Sequence, residues 1–148
     1  MSILNFFGRF KRGSEASKTP EGQEIDRFIK EQEIEFRDIE NFFQMLSPYQ
    51  NPETLSMTLE EFIKYLEEQA KPIRENIRIE TNPSKINDLN NKLTNIDLIQ
   101  AFINRHISYS KSKRYDLPEI TKKTKLCDFI HSLNERVAKI KEILRCQK

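Results

Sequence analysis

Cys127 and His131 stand four residues apart, a spacing that places a thiol and an imidazole on one helix face, with Asp128 beside them. Such a pair is half of a helical metal site, or the nucleophile and base of a thiol enzyme. A metal site needs further ligands, and the only other Cys and His are Cys146 and His106, neither at a finger-like spacing. A partly buried thiol and a surface imidazole are expected instead. The carboxylates cluster as Glu60-Glu61, Glu67-Glu68 and Glu31, Glu33 and Glu35, in stretches that read as helices needing polar outer faces. Acid–base catalysis requires carboxyls separated in space with shifted pKa values, which spacing alone does not supply. The residues therefore assign no catalytic role, metal or cofactor.

Two segments carry chemistry suited to binding. The stretch from Arg105 to Lys125 holds Arg105, Lys111, Lys113, Arg114, Lys122, Lys123 and Lys125 against Asp116 and Glu119, with Tyr109 and Tyr115 interleaved. Cations neutralise phosphates and tyrosines stack on bases, so the segment is a candidate anion or nucleic-acid contact, against the plainer reading of a solvated loop. The other segment is the start of the chain. Wound as a helix, Ile3, Phe6, Phe7 and Phe10 fall on one side, with Leu4 close by, while Arg9, Lys11 and Arg12 lie on or beside the other. Phenylalanine inserts into a membrane interface and the cations meet anionic lipid, giving weak, reversible attachment. Competing readings are a disordered tail, a strip docked on the helices, and a mitochondrial presequence, since Glu15 is the one acid there.

Over residues 1–12 the chain is similar to the membrane-targeting start of the MinE family of bacterial cell-division factors. What the resemblance implies is surface attachment through those residues. Nothing after Arg12 follows that family, so no activity is carried over.

The elements that position these segments read as helices. Three Gly, six Pro and no Trp in 148 residues leave too little turn punctuation for an all-β fold. Gly13 to Gly22 reads as a flexible linker, which sets an extension over 1–22 apart from a single domain over 23–148. The first helix begins near Gln23 and carries Ile25, Ile29, Phe36, Ile39, Phe43 and Leu46, with Gln32 filling the one missing apolar slot; Ser47-Pro48 ends it, and Tyr49 to Ser56 reads as loop. Thr58 and Glu61 form a capping box that opens the second helix, with a stripe of Leu59, Ile63, Leu66, Ala70, Ile73 and Ile77 and an expected kink or break near Pro72. The third runs from about Lys85 to His106 or slightly beyond. The fourth follows Thr124 as N-cap, with Leu126, Ile130, Leu133, Val137, Ile140 and Leu144 in alternating four-three spacing. Four such seams favour an all-α, antiparallel four-helix bundle over a coiled-coil hairpin or an obligate dimer.

Charge is unevenly spread: residues 21–80 carry seven basic against fifteen acidic side chains, and residues 81–148 fourteen against seven. This favours packing of the halves on each other or two oppositely charged faces. Cys127 and Cys146 would stand about 28 Å apart on one helix, beyond disulfide reach, which suits a reducing compartment. No run of about 18 apolar residues spans a bilayer, and the first ten residues do not make a secretory signal. The expectation is a cytoplasmic, non-enzymatic adaptor or regulator that binds another protein, or a second copy, and is held peripherally to a membrane through residues 3–12. The alternative is a nucleic-acid-associated protein using residues 105–125.

Overall fold

A computed structural model describes residues 20–111 and 119–146, and within them the chain is helical, with one isolated β-bridge and no strand. Five α-helices are found among these residues: α1 (Pro20–Leu46), α2 (Pro52–Leu55), α3 (Leu59–Ile79), α4 (Pro83–Lys111) and α5 (Leu126–Arg145). None of them is long and apolar enough to cross a membrane.

α1 begins earlier than its apolar spacing suggests. Pro20 is its first residue, where the missing N–H is no loss and the fixed φ suits the helix, so Pro20 to Gly22 belong to α1 and not to a linker. The helix ends at Leu46, as Ser47-Pro48 requires, and Ser47–Tyr49 tightens into a 3-10 turn. The segment expected as loop then holds a single helical turn, α2, because Pro52 again starts a helix instead of breaking one. Asn51 Oδ1 accepts from the Thr54 amide at 2.8 Å and Thr54 Oγ1 accepts from the Asn51 amide at 3.0 Å. These two bonds make the reciprocal cap of the turn.

The start of α3 satisfies every donor that a helix end normally orphans. Thr58 Oγ1 accepts from the Glu61 amide at 3.2 Å, and Glu61 Oε1 accepts from the Thr58 amide at 2.9 Å, the capping box expected from the sequence. The amides of Leu59 and Glu60 donate to the carbonyls of Thr124 (2.8 Å) and Lys122 (3.0 Å). In return Leu126, the first residue of α5, donates to the carbonyl of Met57 at 2.8 Å, closing an antiparallel bridge between Thr58 and Lys125. Thr124 is consequently not the N-cap of α5: its hydroxyl accepts from the Thr121 amide and its carbonyl serves α3.

α3 runs unbroken through Pro72. The proline removes one backbone bond and its ring sits on an exposed face, while Arg74 donates to Glu67 across it at 2.8 Å and holds that carboxyl below its usual pKa. The buried face comprises Leu59, Phe62, Leu66 and Ala70; Ile63, Ile73 and Ile77 of the expected stripe are only half-buried. α4 opens at Pro83, where Asn82 Oδ1 accepts from the Ser84 amide at 2.9 Å, and extends past His106 to Lys111. Gln100 of α4 donates to the carbonyl of Ile63 on α3.

By packing, the described residues divide into two units, one within 42–132 and the other made of 20–41 with 133–146. In the first, the rings of Phe42 and Phe102 stack at 4.1 Å and those of Phe102 and His106 at 4.2 Å, with Phe129 set edge-on to Phe42 and His106. His106 is buried, and its Nδ1 lies 3.1 Å from the carbonyl oxygen of Phe102. Leu59, Phe62, Leu66, Ile96, Ile99, Ile103 and Leu126 of the same unit are all fully buried. In the second unit Ile39 and Ile140 are fully buried and Leu133 nearly so, as is Gln32, the polar residue in the apolar seam. Arg136 explains it: the guanidinium makes a bidentate pair with Glu35 (Nε to Oε2 2.6 Å, Nη2 to Oε1 2.8 Å) and reaches Gln32 Oε1 at 3.4 Å.

Two stability outcomes follow. The Glu61 carboxyl is held below 4.5, chiefly by the backbone bond from Thr58, so its contribution is present above that value and is lost as pH falls through the lowered folded value. Acid titration of thermal stability should therefore show a smaller loss below pH 4.5 in Glu61→Gln than in the wild type. Arg136→Leu strands a half-buried carboxylate and should cost about 1–3 kcal/mol by urea unfolding, and Glu35→Leu with Arg136→Leu should recover most of it.

Candidate functional site

The two-helix unit has two unlike flanks. On one, the Glu35–Arg136 pair closes the seam, its side chains exposed by only 17% and 18%. On the other lie Ile29 and Phe36 of α1 and Val137 and Leu144 of α5, each pair seven residues apart and therefore stacked along its helix. All four are half-buried. Lys141 shows that the two rows share a side: it neighbours Val137 at i+4 and Leu144 at i−3, and its ammonium stands 5.8 Å from the centroid of the Phe36 ring. A pair of helices can cover one stripe of each, so a wider apolar row leaves part of itself toward water.

Charged rows border this flank. Asp26, Glu33 and Glu40 lie three or four residues from Ile29 or Phe36, and Lys141 lies four from Val137 and three from Leu144, with Arg145, which pairs with Glu142, one turn beyond it; all five are exposed. One edge is acidic and the other basic. Apolar positions framed by opposite charges are the pattern by which helices select a helical partner. The sequence showed the seams but not this flank, because Phe36 and Val137 sit in the same apolar stripes as the fully buried Ile39 and Ile140. The signal that separates them is the heptad row 29, 36 beside 26, 33, 40.

The other candidates fall only in part within the described residues. Ile3, Leu4, Phe6, Phe7, Arg9, Phe10, Lys11 and Arg12 lie outside the described residues, as do Lys113 and Arg114. Lys111 closes α4, and Lys122, Lys123 and Lys125 are exposed on the turn whose carbonyls cap α3. Arg105 is exposed on α4, with its guanidinium 5.4 Å from the Phe102 ring centroid. Cys127 is exposed and not partly buried, its sulfur 3.9 Å from Asp128 Oδ1, and Asp128 and His131 are exposed with it. Among the described residues no group of three or more His, Cys, Asp or Glu is placed to hold a metal. Glu60, Glu67 and Glu68 form surface pairs with Lys64, Arg74 and Lys71. A groove of about 260 Å³ opens at the end of α3, lined by Asn76, Ile79, Glu80, Lys85, Asp88 and Leu89. Ile79 beside it is 76% exposed.

No protein-family model matches the chain, and comparison with curated proteins and with solved structures returns no match.

Proposed function

We propose that the chain is a non-enzymatic interaction protein of the cytoplasm, an adaptor or regulator that binds a protein partner across the half-buried flank of its two-helix unit. Residues 3–12 hold it peripherally to the inner face of a membrane. The observation that carries the proposal is the apolar row of Ile29, Phe36, Val137 and Leu144 between an acidic and a basic edge. Apolar surface left at a helix seam gains free energy when a partner removes it from water, at about 25 cal/mol per Å². The framing charges restrict which partner does so. In this proposal α1, α3, α4 and α5 are the members of the antiparallel four-helix bundle expected from the sequence. Attachment to lipid is supported by the order of Phe and Arg or Lys in residues 3–12.

A second reading, nucleic-acid association through residues 105–125, is favoured by the exposure of Lys122, Lys123 and Lys125 on one turn. It predicts retention on heparin that falls steeply with salt and is abolished by neutralising Lys111, Lys113 and Arg114.

Co-sedimentation with anionic vesicles should be observed for the full chain and lost on deleting residues 1–12. A full chain that never sediments with such vesicles removes the membrane half of the proposal. Affinity capture from the native cell, with wild type against Val137→Glu, tests the other half. Partners retained equally by both show that the flank does not bind them.

A further inference from the structure

We infer that the occupant of the flank is a second copy of this chain, seated with α1 of one copy against α5 of the other. The inference rests on reading the flank as a binding surface, and adds what covers it. Within the unit, the α1 edge of the flank carries the exposed Asp26, Glu33 and Glu40, and the α5 edge carries the exposed Lys141 and Arg145. The surface thus holds both signs, one on each helix, along parallel edges of one apolar row.

A two-fold axis through such a surface makes it its own complement, because in an isologous contact whatever residue meets a second is met by that second in turn. Two registers are open to it. Laying α1 on α1 would set Asp26, Glu33 and Glu40 against the same three carboxylates, and α5 on α5 would set Lys141 and Arg145 against themselves. Like charges brought together across an interface oppose association. Laying α1 on α5 brings the acidic row to the basic one twice over, and at the same time covers Ile29 and Phe36 with Val137 and Leu144 of the other copy. The apolar row supplies the attraction and the charges fix the register. The opposite flank is unsuited to this, since its seam is already closed by Glu35 and Arg136.

Charge exchange tests the arrangement without touching the core. One variant reverses the acidic row (Asp26→Lys, Glu33→Lys, Glu40→Lys); the other reverses the basic pair (Lys141→Glu, Arg145→Glu). All five side chains are exposed, and circular dichroism checks that helicity is kept. Sedimentation equilibrium on full-length protein from about 1 to 100 µM should find the wild type dimeric and each variant alone weakened at least about tenfold. An equimolar mixture of the two should sediment as dimer, because both α1–α5 contacts of the mixed pair are again of opposite sign. Ile34→Glu, on a far face of α1 and 49% exposed in the wild type, should leave the dimer unchanged. A wild type that stays monomeric to the top of that range overturns the inference. So do variants that dimerise as well alone as mixed, or dissociation by Ile34→Glu. Each of these results is independent of lipid binding and of capture by Val137→Glu, so a failed second copy is distinguishable from a flank that binds nothing.

Discussion

Two helix N-termini capping each other hold residues 42–132 in their form. A helix end leaves four amides without partners, and burying them unpaired is costly. At α3 the answer is drawn from sixty residues downstream: Lys122 and Thr124 supply carbonyls, Thr58 supplies its own hydroxyl, and Met57 returns a carbonyl to Leu126. Because these bonds are directional, they fix where α5 begins relative to α3 along the chain direction. The fully buried Leu59 and Leu126, each the first residue of its helix, are set into the core by the same contact. Phe62 and Phe129, both buried, follow three residues later on each helix.

Much of this was legible in residues, and what was not has a physical cause in each case. The Thr58-Glu61 box and the stop at Ser47-Pro48 involve neighbours within three positions, so spacing sufficed. Pro20, Pro52 and Pro83 were harder, because a proline that breaks a helix and one that starts it look alike until the preceding residues are known to be non-helical. Thr124 has the right type for a cap, yet its hydroxyl and carbonyl are both taken by other parts of the chain. Pro72 was expected to kink or break α3, and the break does not occur, the helix continuing to Ile79 with Arg74 paired to Glu67 across the proline.

The candidate flank was partly legible. Four-three spacing gave the seams of α1 and α5, and the count of charges gave an acidic first half and a basic second half. What spacing cannot say is which side of a seam is closed. That depends on Arg136 reaching Glu35 and Gln32, a pairing across about a hundred positions, and on Lys141 lying over Phe36. Gln32 shows the same limit from the other direction: in the sequence it is a gap in the apolar pattern, and in the fold it is the buried acceptor that receives an arginine.

The mutual capping also orders events during synthesis. α3 and α4 are joined by a short connection and can find each other while the chain is still emerging from the ribosome. The carbonyls of Lys122 and Thr124, by contrast, reach the exit some sixty residues after the amides they are to receive. Until then the first turn of α3 has only the Thr58–Glu61 box and water to hold it, and Leu59 has no lid. Closure of residues 42–132 therefore waits on long-range contacts, the slow kind, and a nascent chain arrested before Leu126 would present an oily helix start to whatever chaperone stands nearby.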